Sequence, residues 1–380
     1  MRLTADAVRR LRARSQRLMG RTKGPLEAAR AMCGAQAQDA SAGILSLRAR
    51  LDPAAEVTAA DVERLRVDDR ALVRTWLMRS TIHLVTAEDY ALLLPLVGPH
   101  FERRTRPRRL GLGLDDETGE RGVGLLCDFL SKGGPLTRDE LRERLERRRI
   151  PTEGQALVHL AALAAYRGKI CFGPGEGRRA TFALVDDWLK PAIQRALHRP
   201  PPREEALATL VRRYVDAFGP ATPEDLATWS GLPMGDVRVG WKGAAEELVE
   251  VAVPPVAGGR AWFPAAREAE LREVAGRGRR TPESVALLAF WDTYLMGYRS
   301  RELTVDTAHA AGVVVAGGVL YPILAVDGRA VAAWRLERAK GRVTVRLSPF
   351  APLSKGVLRA AEGEAQDVGR FLGAEEANLA

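Results

Sequence analysis

Gly134-Pro135-Leu136-Thr137-Arg138-Asp139-Glu140-Leu141 and Gly219-Pro220-Ala221-Thr222-Pro223-Glu224-Asp225-Leu226 are two versions of one phrase, 85 positions apart. This repetition limits the fold more than any other feature of the chain. Each version starts a helix. Thr137 with Glu140 fits a capping box, and Thr222 is an N-cap with Pro223 at the first helical position. Amphipathic helical patterns precede them at 122–132 and 204–218. A second helix follows each, then two short strand patterns around a Gly-rich or Pro/Gly turn. The first pair is Lys169–Phe172 and Ala180–Leu184; the second is Leu248–Val251 and Ala261–Phe263.

Helix, helix, helix, hairpin is the order of a winged helix. A third, weaker copy is expected near the start, where helical patterns cover 4–19, 25–37 and 58–66 and a strand pattern covers 81–85. No second wing strand is evident there. Proline and glycine cluster at 107–124, at 200–202 and at 276–282, which read as linkers. They divide the chain into 1–112, 113–199, 203–275 and 281–380. The last segment reads as a three-stranded meander over 319–326, 330–336 and 343–347, with Asp327-Gly328 as a hairpin turn. The expected class is therefore α+β, mainly α: three tandem winged-helix units and a C-terminal β-rich segment.

The charge points towards a polyanion without proving one. The 58 basic residues exceed the 48 acidic ones, and only seven of the 58 are lysine. A GC-rich genome alone yields many arginines, so the excess over acids is the informative quantity. It is uneven. Residues 1–30 hold nine basic and two acidic side chains, and Arg103, Arg104, Arg106, Arg108 and Arg109 crowd what reads as a Pro-containing linker. Arg178 and Arg179 belong to the first wing. Basic wings and linkers suit phosphate contacts. In 138–149 arginines alternate with glutamates, the pattern of a salt-bridged solvent face.

Several classes fall away. The N-terminus lacks an apolar core, so no signal peptide is read, and the longest apolar stretch, 313–326, is too short to span a bilayer. Cys33, Cys127 and Cys171 lie far apart without metal-ligand spacing, and the five histidines form no H-x-x-x-H pair. A cytoplasmic chain without metal or cofactor, active as a monomer, is expected.

The distinctive short motif is Ala35-Gln36-Ala37-Gln38-Asp39. One reading is a helix C-terminus whose glutamines cap backbone groups. The other is a site that orients water and a sugar, since an amide both donates and accepts hydrogen bonds. Asp39 either aids water activation or caps a helix. His83, between Ile82 and Leu84, fits a packed strand histidine as well as a site-supporting one, and Trp76, Trp291, Tyr294 and Tyr298 fit the core better than a stacking platform.

Four blocks in order carry a family resemblance: residues 34–39; 74–84, where the family has Arg-Gly-Thr-Leu-His; 218–231; and 294–301. The chain resembles the winged-helix DNA glycosylases of the AlkZ and YcaQ type. The resemblance implies a basic scaffold of three winged helices for duplex DNA carrying alkylated purines, with Gln36 and Gln38 acting at the damaged nucleotide. Some members have Asp at the second position; here it is Gln. Ser80 replaces the usual Gly, and Trp291-Asp292-Thr293 stands where Phe-Asp-Pro is common. Asp39, Thr81 and His83 become site-supporting candidates; Arg103, Arg104, Arg178, Arg179, Arg299 and Arg301 become DNA-binding candidates. The implied reaction is monofunctional hydrolysis of the N-glycosidic bond of N7-alkylated purines. Crosslink unhooking and self-resistance to an alkylating natural product fall within its scope. The competing expectation is a non-catalytic winged-helix DNA-binding protein or transcriptional regulator.

Overall fold

Helix starts follow the capping residues. In a computed structural model describing residues 1–176, 179–276, 284–315 and 318–380, the Thr137–Glu140 pair forms a reciprocal capping box on helix Arg138–Glu146. Thr222 accepts the Asp225 N–H at the start of helix Pro223–Ser230. Asp39 accepts the Ala42 N–H and starts helix Ala40–Arg48. Such caps satisfy donors that the first helical turn leaves orphaned. The whole is a mixed α/β fold in two compact bodies: Met1–Val62 with Leu207–Trp229 and Pro233–Ala380, and Glu63–Ala206 with Ser230–Leu232.

The first body is organised around an antiparallel sheet closed by one parallel strand. Its order is Glu376–Leu379, Arg342–Pro349, Arg329–Ala339, Ile323–Val326, Val285–Leu288. The expected three-stranded meander is thus only the middle of a five-stranded sheet. Asp327 and Gly328 take φ of +46° and +76° at its hairpin turn, the left-handed values a tight two-residue loop needs. Helix Lys355–Phe371 buries Val357, Ala361, Ala365 and Val368, a stripe at helical spacing. Charged groups are buried here too. Arg50 meets Asp292 through two hydrogen bonds of 2.8 and 2.7 Å, and Arg48 reaches Glu364 at 3.0 Å and Asp367 at 3.1 Å. Burial alone would raise the Glu364 pKa, but Arg48 and Arg21 hold it below the ordinary value.

The second body corrects two expectations. Strand Ile82–Thr86 has an antiparallel partner, Leu72–Trp76, so the second strand missing from the sequence pattern exists. The arginines at 103–109 lie in the last turns of helix Ala87–Leu110, not in a linker. Pro95, Pro99 and Pro107 sit inside that helix and disguise it, since an interior proline ordinarily costs about 3 kcal/mol. Burial of Tyr90, Leu93, Leu94, Val97 and Phe101 on one side outweighs the local cost. Strands Leu136–Thr137, Arg179–Leu184 and Ile170–Glu176 form a small antiparallel sheet in that order. Phe172 and Phe182 lie 5.0 and 6.2 Å from the Trp76 ring, so Trp76 is core.

Candidate functional site

The segment carrying the two glutamines is built by three local devices. Helix Pro25–Ala31 stops early: Cys33 and Gly34 take φ of +51° and +92°, and the Gly34 N–H turns back to the Ala29 carbonyl at 2.9 Å. The expected helical pattern to residue 37 is therefore cut six residues short by left-handed backbone. Ala35–Gln36 is then extended, so the glutamines are not the caps of a helix C-terminus. Asp39 caps the next helix through Oδ1 at 2.9 Å, the structural one of its two expected tasks.

Packing then holds the motif in place. A Cβ at Gly43 would stand 2.8 Å from the Ala37 Cβ, so only glycine lets helix Ala40–Arg48 press onto the residue between the glutamines. Ala35, Gln36 and Ala37 are buried, whereas Gln38 and Asp39 are exposed. The pair is thus split, with one amide held inside and one presented outward. Buried polar groups are normally hydrogen-bonded, which gives Gln36 a restrained orientation.

Thr81 and His83 belong to the second body. Arg79 and Ser80 take φ of +54° and +61°, so serine occupies left-handed backbone where the resembling family has glycine. The Ser80 hydroxyl is hydrogen-bonded to the Tyr166 hydroxyl. Thr81 Oγ1 donates to the Met78 carbonyl at 3.0 Å. His83 is buried, and its Nδ1 lies 3.0 Å from the Thr81 carbonyl, an acceptor only, so Nδ1 carries the proton. Burial first, and then the Arg79 charge, lower its pKa to about 3. The ring is neutral at physiological pH, with Nε2 the acceptor.

The arginine candidates separate by what they already touch. On helix Ala87–Leu110, Arg106 pairs with Asp116 at 2.6 Å, Arg108 donates to Gln155, and Arg109 is buried on the Glu102 carbonyl and Thr105. Arg103 and Arg104 are exposed and have no carboxylate partner among the described residues. Arg179 is exposed on the strand after the first wing turn; Arg178 lies outside the described residues. In the first body the Arg299 N–H donates to Asp225 at 2.8 Å, and Arg301 Nε donates to the Leu295 carbonyl at 2.9 Å. Arg142 and Arg147 pair with Asp139 and Glu143 along their own helical stretch, as a solvent face would. Tyr294 and Tyr298 are core; Trp291 is half-buried with φ of +51°. The pairing of Arg12 with Asp225 escaped notice in the sequence, because the 3.6 Å ion pair joins residues over two hundred positions apart.

Among the described residues no helix is long and apolar enough to cross a membrane, and no cluster of His, Cys, Asp and Glu is placed to hold a metal. Comparison with known proteins identifies the class of the chain. The AlkZ-like DNA glycosylase family matches residues 29–371, and the chain belongs to that family. Its members are hydrolases of N-glycosidic bonds. An interstrand DNA cross-link repair glycosylase of Streptomyces sahachiroi is 31% identical over 368 residues, covering 90% of this chain and 89% of the relative. The solved structure of the Streptomyces sahachiroi DNA glycosylase AlkZ superposes with a TM-score of 0.79 at 26% identity, covering all of both chains. Family membership decides between the two expectations for this chain in favour of the enzyme.

Proposed function

We propose that this glycosylase hydrolyses the N-glycosidic bond of N7-alkylated purines in duplex DNA, and that Gln36 and Gln38 carry the chemistry. The supporting observation is the split pair: a buried and an exposed amide on one extended segment, clamped by the Asp39 cap and the Gly43–Ala37 approach. An amide is too weak a base to drive loss of an ordinary purine at pH 7. N7-alkylation makes the base cationic, so it departs without being protonated. The remaining work is to align water with C1′ and to stabilise an oxocarbenium-like transition state, which fixed dipoles can do. No lysine is needed, and the reading is monofunctional.

The scaffold for this reading is three tandem winged-helix units, 1–112, 113–199 and 203–275, followed by the β-rich segment 281–380. Arg103, Arg104, Arg178, Arg179, Arg299 and Arg301 are its proposed phosphate contacts, and Asp39, Thr81 and His83 its supporting groups. The enzyme works as a monomer. The cross-link repair named for the Streptomyces relative extends the proposed substrates to interstrand crosslinks, which the enzyme would unhook.

The test is single-turnover release of N7-methylguanine from a duplex. Gln36→Ala and Gln38→Ala should each slow excision by roughly 10²- to 10³-fold, the cost of losing one well-placed transition-state hydrogen bond. DNA affinity should stay near wild type, because phosphate contacts elsewhere supply it. Folded variants that excise at the wild-type rate would reduce the glutamines to structural groups.

A further inference from the structure

The first body contains a cleft of about 800 Å³ that the glutamine chemistry does not use. Arg12, Thr222, Asp225, Arg260, Arg299 and Arg301 line it, at the start of helix Pro223–Ser230 and beside the turn between strands Leu248–Ala252 and Arg260–Pro264. Gly258, in that turn, has φ of +98°, and a Cβ there would come within 2.9 Å of the Thr222 methyl. Glycine therefore allows the turn to close against the helix start.

The cations of the cleft differ in what neutralises them. Asp225 is fully engaged: it accepts the Thr222 N–H at 3.1 Å and the Arg299 N–H at 2.8 Å, and it lies 3.6 Å from the Arg12 guanidinium. Arg260 stands 3.8 Å from Glu250. Arg299 lines the cleft and is exposed, and it is its backbone N–H that Asp225 holds. Arg301 is half-buried, anchored by one bond to a carbonyl, and has no carboxylate partner among the described residues. Burial accordingly lowers its pKa with no acid opposing the effect. A guanidinium withdrawn from water without a counter-charge is costly unless an anion completes it, and its planar fork suits two oxygens of one phosphate.

We propose that this cleft seats a backbone phosphodiester of the DNA duplex, gripped by Arg299 and Arg301 without regard to base sequence. Glu224 and Glu302 also line it and are exposed. They disfavour free phosphate, a substantial fraction of which is dianionic at pH 7, relative to a singly charged diester. The proposal rests on the DNA glycosylase reading above and adds a particular seat and the groups that form it.

The experiment measures affinity for an undamaged duplex against salt for wild type, Arg299→Ala/Arg301→Gln and Arg301→Lys. Losing one phosphate contact should lower the slope of log affinity on log salt by about 0.9. The double variant should bind about tenfold more weakly near 0.1 M salt, by the same counter-ion argument. Arg301→Lys keeps the charge but loses the fork, and should fall between the two. Melting curves establish folding, and Arg301→Lys alone tests the proposal if the double variant unfolds. Wild type without duplex affinity would sink the glycosylase reading itself. Steep wild-type salt dependence that folded variants share would overturn the cleft alone. Inorganic phosphate at constant ionic strength supplies the last arm. If it stabilises wild type and not the variants while DNA affinity is equal, the cleft is a free-phosphate site and the proposal is wrong.

Discussion

The two Gly-Pro-x-Thr phrases begin helices in the same way and end with different responsibilities. At Thr137 the acid three residues on, Glu140, reaches back to the Thr137 N–H at 2.7 Å and stays exposed. At Thr222 the corresponding acid is the shorter Asp225, which takes the Thr222 N–H at 3.1 Å and is buried. Its carboxylate also holds the Arg299 N–H and faces Arg12. One phrase therefore serves a helix, and the other ties three distant parts of its body together. The comparison shows that a repeat can preserve a local device while only one copy is recruited into tertiary structure.

The largest effect that can break this comparison is at Asp225. Asp225→Ala removes the cap acid, the anchor of Arg299 and the counter-charge of a buried arginine. Loss of one partner from a buried ion pair typically costs about 3–5 kcal/mol. Urea unfolding of the full chain should show a destabilisation of that order. A change no larger than that of an exposed cap substitution would mean that the two phrases are equivalent after all.

This pair also marks where sequence reading stops. Caps such as Thr137, Thr222 and Asp39 are legible because their partners lie within three residues. Strand Glu376–Leu379 was not, since Glu-Ala-Asn-Leu has no β-branched residue and pairs only because strand Arg342–Pro349 lies beside it. Three prolines concealed helix Ala87–Leu110, whose stability comes from burial. At the candidate site, the residues 36–39 stood out by type and spacing. That Gln36 is inside and Gln38 outside was not legible, because it depends on the left-handed turn at Cys33-Gly34 and on Gly43 meeting Ala37.

A middle-sized effect sharpens the contrast from the other body, where the exposed Glu140 leaves acid sensitivity to a different group. His83 has its pKa lowered from 6.5 to about 3 by burial and the Arg79 charge. Between those values the unfolded chain binds a proton that the folded chain refuses. Its contribution to stability is therefore complete above pH 6.5 and declines as pH falls from 6.5 towards 3. Unfolding midpoints between pH 7.5 and 5 should fall with acid in wild type and less so in His83→Asn. An imidazole resonance titrating near 6.5 in the folded protein would show that the ring is not buried in neutral form.

The smallest effect concerns Glu140 itself. The Thr137 N–H and hydroxyl hold its carboxyl below the ordinary 4.5. A depressed carboxyl pKa contributes stability above the unfolded value and loses it as pH falls through the folded value. Glu140→Gln keeps an acceptor for the Thr137 N–H but removes the charge that favours a helix N-terminus. Wild type should hence exceed Glu140→Gln slightly at pH 7, with the gap closing once pH drops below about 4.5. The gap should be small throughout, because the carboxylate is solvated and contacts only its own helix start. Urea midpoints at pH 7, 5 and 4 measure it. A gap that widens in acid, or one as large as that of Asp225→Ala, would show that Glu140 has a second partner and that the first phrase too has been drawn into tertiary structure.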